Sequence, residues 1–307
     1  MDLSIVIPTF NEQENVEKLH SELVSTLKKI NKSCEIIFVD DGSTDQTFEK
    51  LERIARRDKK VRIVKFTRNF GQTAALLAGF QKSKGNVIIS MDADLQNDPA
   101  DIPKLLRKLN DGYDVVCGWR ANRKDTFGKV LSSKISNWLM DFLMDLNIHD
   151  SGCTLRAYKR RTVNDLQIYG ETHRYIPAMI SSRGFKVAEV PVNHRSRFKG
   201  KTKYGLARLP KGLLDLLTLK FLVTYGSRPI HIFGGAGLFL FGLGFLGGLW
   251  LAYEKFWLRL SIGNRPLLTL VLLLLILGVL FILNGFVAEL LIRTRTTETY
   301  KIEKTVN

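Results

Sequence analysis

From the N-terminus to about residue 120, short runs of β-branched and other apolar residues alternate with longer stretches whose apolar positions recur every three or four residues. The short runs predict strands at residues 3–8, 35–39, 61–66, 87–91 and 114–117, and the periodic stretches predict helices at 14–30, 47–57, 73–82 and 102–109. Such regular alternation predicts an α/β fold with a mainly parallel sheet covered on both faces, because each parallel connection needs a crossover that packs on the sheet. Past residue 126 the pattern loosens. It predicts a helix at 129–146, strands at 154–158 and 186–192, a basic glycine-containing loop at 194–204 and an amphipathic stretch at 206–222.

Two long apolar segments follow, at 230–253 and 266–292. At 1.5 Å per residue each is about 36–40 Å long, enough to cross a hydrocarbon core of about 30 Å with some tilt. Arg208, Lys211, Lys220 and Arg228 precede this pair, Arg293, Arg295, Lys301 and Lys304 follow it, and Lys255, Arg259 and Arg265 lie in the connection. The heavier positive load outside the hairpin places both ends in the cytoplasm. MDLSIVIPTF at the N-terminus lacks the basic-then-apolar pattern of a signal peptide and is read as a buried strand, so the soluble part is expected to stay cytosolic. Gly242, Gly244 and Gly247 match a dinucleotide-binding spacing but follow no strand; small residues such as Gly235, Gly244 and Gly248 are read instead as allowing close helix packing, and a homo-oligomer is expected from this glycine-rich span.

Charge and cysteine usage narrow the functional classes. The 307 residues carry 46 Lys and Arg against 30 Asp and Glu, a formal net charge of +16, which calls for an anionic partner: nucleic acid, anionic lipid or phosphorylated ligands. Nucleic acid is disfavoured by the membrane hairpin and by the lack of any nucleic-acid motif. Cys34, Cys117 and Cys153 are too far apart for a metal framework or disulfide scaffold, which fits a reducing compartment.

Against this basic background, acidic residues gather where a parallel sheet binds its ligands, beyond the carboxyl ends of the strands. Met91-Asp92-Ala93-Asp94-Leu95-Gln96 ends the fourth predicted strand, Val39-Asp40-Asp41-Gly42-Ser43-Thr44-Asp45 the second, and Ile7-Pro8-Thr9-Phe10-Asn11-Glu12 the first. Two carboxylates at i, i+2 can hold a hard divalent cation such as Mg²⁺ or Mn²⁺. A carboxylate at the second strand end can accept from a base N–H or a ribose hydroxyl. Turn and cap chemistry competes for the same residues: Asp98 before Pro99 can cap the next helix, as can Thr44 or Asp45.

These motifs together resemble those of family 2 glycosyltransferases with the GT-A fold, and closely those of polyprenyl-phosphate glycosyltransferases related to dolichol-phosphate mannose synthase, through almost all of residues 3–225. The resemblance implies a GT-A domain at 1–205, an interfacial segment at 206–228, two transmembrane helices at 229–292 and a cytoplasmic tail at 293–307. It implies that Asp92, Asp94 and Gln96 bind the metal, and that Pro8, Thr9, Asn11, Glu12, Asp40, Asp41, Asp92, Ala93 and Asp94 bind the nucleotide-sugar. The segment ending in Trp119-Arg120 resembles one whose arginine meets phosphate, which makes Arg120, with Arg123, Lys129, Ser133 and Lys134, the candidates for the acceptor phosphate. His149-Asp150-Ser151-Gly152-Cys153-Thr154-Leu155-Arg156 resembles the acceptor-side motif with its aspartate, departing at Ser151, where relatives often carry an aromatic residue. The loop 195–204 resembles a basic flap that closes on the donor phosphates through Arg195 and Lys203.

The implied reaction is inverting transfer of one sugar from a nucleotide-sugar, UDP-glucose first and GDP-mannose second, to a membrane-embedded polyprenyl phosphate. Asp94 and Asp150 are the expected catalytic residues. His173 and Arg174 are further candidates for the donor pocket. A processive polysaccharide synthase is the nearest rival, but its Q-x-x-R-W segment is absent from the sequence. A catalytically inactive membrane scaffold is the other, and the intact Asp92, Asp94, Gln96 and Asp150 stand against it.

Overall fold

A computed structural model describes residues 1–121, 148–164, 166, 168, 172–195, 218, 221, 228–263 and 265–293. The helix expected at 129–146, most of the amphipathic stretch, the basic flap beyond Arg195 and the C-terminal tail lie outside these residues. The chain divides into two compact units, Met1–Leu217 and Thr218–Asn307.

In the first unit β1 (Leu3–Thr9), α1 (Val16–Ile30), β2 (Cys34–Asp40), α2 (Thr47–Arg57), β3 (Val61–Lys65), α3 (Gln72–Lys82), β4 (Val87–Ser90), α4 (Ile102–Asn110) and β5 (Val115–Trp119) follow the expected alternation. Then come β6 (Arg156–Lys159), α5 (Arg160–Val163), α6 (Ile176–Ser181) and β7 (Val187–Pro191). The seven strands stand in the order β3-β2-β1-β4-β6-β5-β7. All pair in parallel except β6, which runs antiparallel between β4 and β5.

Alternate residues of the central strands face opposite layers. Leu3, Ile5 and Ile7 of β1 join Ile36 and Phe38 of β2 and Leu19, Leu23 and Leu27 of α1 in the larger core. Ile37 and Val39 of β2 pack with Ala75 of α3 on the other face. Each fully buried leucine contributes about 1.5–3 kcal/mol relative to exposure. Helix α1 stops at Asn31, whose left-handed φ of +52° a short polar side chain tolerates. The strand register sets the site: Thr9 lies opposite Asp40, so β1 and β2 end level with one another.

In the second unit α7 (Ile230–Phe256) and α8 (Pro266–Arg293) are long and apolar enough to cross a membrane. Leu238, Phe239, Leu249, Leu273, Leu283 and Leu290 are among many large apolar side chains exposed on them, whereas in the described part of the first unit only Met1 and Phe70 are exposed in this way. A surface of this kind is stable in lipid and not in water. The helices touch where side chains are smallest. A Cβ on Gly237 would lie 2.7 Å from the Gly278 carbonyl oxygen, and one on Gly278 would lie 2.7 Å from the Phe241 nitrogen. Gly244 and Gly247 also meet α8 closely, but Gly235 has nothing within 4 Å and Gly248 makes only an ordinary contact. The packing role expected of Gly235 and Gly248 therefore belongs to Gly237 and Gly278, and it is exercised within one chain. Gly242, Gly244 and Gly247 lie inside α7 and not in a turn between a strand and a helix.

Candidate active site

The loops leaving β1 and β2 are laced together by polar side chains. The Asn11 N–H donates to Ser43 Oγ at 3.0 Å, the Thr44 N–H donates to Asn11 Oδ1 at 2.8 Å, and the Glu12 N–H donates to Thr47 Oγ1 at 2.8 Å. Asp45 accepts from the Thr47 N–H at 3.0 Å, the capping contact that competed for this motif. Asn11 sits at a φ of +53°, a conformation that these contacts hold in place. Glu12 accepts from Asn15 Nδ2 at 2.6 Å, and the Thr9 hydroxyl donates to the Ile7 carbonyl at 3.1 Å. Asn11, Glu12 and Thr9 thus have structural duties in the positions expected for nucleotide contacts.

The two aspartates ending β2 differ. Asp41 accepts from the Phe70 and Gly71 N–H groups at 2.7 and 2.9 Å, and burial raises its pKa. It is a latch for the loop between β3 and α3. Asp40 is fully buried; its Oδ1 accepts from the Ser43 N–H at 3.2 Å, while its Oδ2 is buried with no hydrogen-bond partner. A buried carboxylate oxygen without a donor is costly unless a ligand supplies one. Gly42 makes this corner possible: its φ is +70°, and a Cβ there would come within 2.4 Å of the Arg68 carbonyl carbon.

The latched loop reaches across to the end of β4, where Gln72 Nε2 donates to Asp92 Oδ1 at 2.7 Å. Residues 70–72 therefore tie the β2 carboxylates to the β4 carboxylates over the end of β1. Asp94 is buried and accepts from the Gln96 N–H at 3.1 Å, with Ala93 buried between the two aspartates and Leu95 at a φ of +62°. Burial, then the neighbouring Asp94 charge, push the Asp92 pKa up to about 7. A cation here would relieve that repulsion. Among the described residues no group of three or more His, Cys, Asp and Glu side chains could hold a metal ion by itself. Asp92, Asp94 and Gln96 consequently fit a hard cation only as a partial ligand set, completed by diphosphate oxygens and water. Asp98 accepts from the Ala100 N–H at 3.0 Å and caps the short 3-10 turn Pro99–Asp101, the role its position before Pro99 predicts.

On the other side of β4, Arg120 and Asp150 form a bidentate pair, with Nε and Nη2 donating at 2.7 and 2.8 Å. The sequence assigned the two separate roles; in the structure they are one unit, and the Arg120 guanidinium is oriented by the Asp150 carboxylate. Arg195 is also engaged with carboxylates. Its guanidinium donates to Glu22 at 2.6 Å and pairs with Asp98 at 2.7 Å, which ties residue 195 to α1 and to the 3-10 turn. Arg123, Lys129, Ser133, Lys134 and Lys203 lie outside the described residues. His173 is buried and shares a hydrogen bond with Thr73 at 2.9 Å, next to Gln72. Burial pushes Cys117 and Cys153 up to about 12 and about 11, so neither is a thiolate nucleophile.

Sequence reasoning missed Gln72 and Glu189, and it named Arg156 only as part of the 149–156 motif, without a role of its own. Glu189 accepts from the N–H groups of His149 and Asp150 at 2.8 and 3.1 Å, and Arg156 donates to the carbonyls of Cys153 at 2.8 Å and His173 at 3.0 Å. The partners of Gln72 and Glu189 are distant in sequence and no local pattern marks these two, whereas the partners of Arg156 begin three residues away.

A mainly parallel sheet with acidic groups collected at the carboxyl ends of β1, β2 and β4 is the arrangement of the GT-A fold. The chain belongs to glycosyl transferase family 2, whose family model matches residues 4–167. It is 39% identical over 299 residues to the dodecaprenyl-phosphate galacturonate synthase of Rhizobium johnstonii, covering 96% of this chain and 88% of that protein. It is 35% identical over 316 residues to the undecaprenyl-phosphate 4-deoxy-4-formamido-L-arabinose transferase of Pectobacterium atrosepticum, covering 100% and 94%. Among solved structures, glucosyl-3-phosphoglycerate synthase of Mycobacterium tuberculosis, in complex with Mn²⁺, UDP and phosphoglyceric acid, shares the fold with a TM-score of 0.57 at 19% identity, over 71% of this chain and 78% of that one.

Proposed function

We propose that this glycosyltransferase moves one sugar from a nucleotide-sugar to the phosphate of a polyprenyl phosphate at the cytoplasmic membrane face, with inversion at the anomeric carbon. The observation that carries this reading is the near full-length match to polyprenyl-phosphate sugar transferases, extending through the two spanning helices. Phosphate-linked lipid is also what a basic chain with a membrane hairpin would meet.

In this reading Asp40 Oδ2 accepts an N–H of the donor's base. Pro8, Thr9, Asn11, Glu12, Asp41 and Ala93 shape the nucleotide cleft, and Asp92, Asp94 and Gln96 hold Mg²⁺ or Mn²⁺. When bound, the cation supplies positive charge to the departing nucleotide diphosphate. A lipid phosphate oxygen is already anionic at neutral pH, so it attacks the anomeric carbon as the bond to the diphosphate breaks. No protein nucleophile is needed. Arg120, oriented by Asp150, receives the acceptor phosphate together with Arg123, Lys129, Ser133 and Lys134, while Arg195 and Lys203 serve the donor side from the flap. Preorganised charge rather than covalent catalysis carries the rate. The heavier positive charge outside the hairpin supports a topology with both termini in the cytoplasm.

UDP-glucose is the first donor to test and GDP-mannose the second. A uronic acid donor joins them because a relative at 39% identity is a galacturonate synthase. Membranes containing the chain, incubated with undecaprenyl phosphate and each labelled donor in turn, should move label into the organic phase for one of them. Lack of transfer from every nucleotide-sugar would overturn the reading.

A further inference from the structure

Five residues, 149–153, are held between two side chains of opposite charge, a half-buried Glu189 and a buried Arg156, sorted by the polarity of the backbone groups that each takes. Glu189 on β7 takes donors: its carboxylate accepts from the N–H groups of His149 at 2.8 Å and Asp150 at 3.1 Å, and shares a hydrogen bond with His149 Nδ1 at 3.0 Å. Arg156 on β6 takes acceptors: it donates to the carbonyls of Ser151 and Cys153, and further to those of His173 and Arg174. The sheet brings the two together, since Cys117 on β5 pairs in register with Arg156 on one side and Glu189 on the other. The His149 ring stacks on Trp119, with centroids 4.7 Å apart, and the next residues on either side, Asp150 and Arg120, form the bidentate pair.

We infer that Glu189 and Arg156 are positioning residues that fix the Asp150 carboxylate, and through it the Arg120 guanidinium, in the geometry that receives the acceptor phosphate. A charge-assisted hydrogen bond holds a loop more firmly than a neutral one. Here both ends of the loop are held that way, so Asp150 meets Arg120 without first paying the entropy of ordering its own backbone. A purely structural pair would not need to aim at the amide of Asp150 itself and that of the residue before it, next to the carboxylate that grips Arg120. Arg156 also extends the hold to residues 173–174, where His173 bonds to Thr73 next to Gln72 and Asp92. The acceptor-side loop and the donor-side turn are therefore anchored on a single buried guanidinium.

This inference rests on the proposed transfer reaction, and its test separates the two. The full chain in detergent is prepared as wild type, Glu189→Ala, Glu189→Gln, Arg156→Lys, Asp150→Asn and the Glu189→Ala/Asp150→Asn double variant. Three readouts are taken: amide hydrogen exchange of residues 148–153, affinity for UDP with Mn²⁺, and transfer to undecaprenyl phosphate. Glu189→Ala should speed exchange at residues 149 and 150 about tenfold or more. It should leave UDP affinity within about twofold while lowering turnover about tenfold or more, and Glu189→Gln should restore part of both losses. The double variant should transfer no more slowly than Asp150→Asn alone. Arg156→Lys should speed exchange within 151–153 and raise the KM for undecaprenyl phosphate more than that for the donor. Unchanged exchange at 149–150 in both Glu189 variants, or turnover losses of Glu189→Ala and Asp150→Asn that multiply in full, would overturn the inference. Should the wild type transfer nothing, the reaction assigned above is refuted, while hydrogen exchange still judges the clamp.

Discussion

Replacing Asp40 by Asn separates a ligand-binding carboxylate from a structural one, because the two roles predict opposite signs. Asp40 is fully buried, one oxygen accepts from the Ser43 N–H at 3.2 Å, and the other has no partner. In Asp40→Asn the side-chain oxygen keeps the Ser43 contact and the amide NH₂ takes the unpartnered position. That position then offers a donor where the nucleotide base also offers one. The lost charge-assisted hydrogen bond is worth about 1.5–3 kcal/mol, or roughly tenfold to more than a hundredfold in affinity, and the opposed donors add to it. The unliganded fold should gain stability on the order of 1 kcal/mol, since a buried charge has been removed. Calorimetric titration of the detergent-solubilised chain with UDP and GDP measures the first effect, and thermal unfolding without ligand measures the second. CDP, whose ring N3 is an acceptor, should bind the wild type weakly and the variant more tightly, because the amide NH₂ can donate to it. A variant that binds UDP and GDP as the wild type does, or one that loses stability, would refute the assignment of Asp40 to the base.

Asp94→Asn should lower transfer by more than about tenfold, equivalent to about 1.4 kcal/mol of barrier, with the fold retained; chelation should likewise stop the wild type, and Mg²⁺ or Mn²⁺ should restore it. Glu35 supplies a pH test away from the site. Burial pushes its pKa up, but the Ser4 hydroxyl, Arg62 and the Lys84 N–H outweigh burial and hold it below the ordinary 4.5. A carboxylate with a depressed folded pKa stabilises above its unfolded pKa and stops doing so as pH falls through the folded one. Glu35→Gln should therefore be less stable than wild type at neutral pH, and the difference in unfolding free energy should shrink below about pH 4.5. In the hairpin, Gly278→Leu should cost about 1–3 kcal/mol by forcing α7 and α8 apart, whereas Gly235→Leu should be silent; thermal unfolding in detergent ranks the two.

Much of the architecture was legible because local signals agreed with one another. Runs of β-branched residues bounded by Asp-Asp-Gly and Asp-Ala-Asp located β2 and β4 within a residue or two, and the apolar spans located α7 and α8. Strand order was not legible. Nothing in residues 154–158 says that β6 inserts antiparallel between β4 and β5, since that pairing depends on where a returning chain finds an unfilled edge. The acidic motifs were readable as a cluster but not individually. Asp40 and Asp41 look equivalent in sequence, yet only Asp41 latches a loop whose amides lie 29 and 30 residues away. Arg120 and Asp150 were assigned separately because thirty residues part them, and Arg195 reaches Glu22 across 173 residues. In the hairpin, composition showed that glycines would pack but not which ones, because helix phase relative to the partner decides that.

The central claim is that one sugar is joined to one lipid phosphate with inversion. The most direct test is to purify the full chain, supply undecaprenyl phosphate and the donor that labels membranes, and examine the lipid product by mass spectrometry and NMR. The account predicts a polyprenyl phosphate carrying a single sugar, β-linked when the donor is α-linked, with one nucleoside diphosphate released per lipid. A lipid bearing a lengthening glycan, an α-linked phosphosugar, or donor consumed with only free sugar appearing would contradict it.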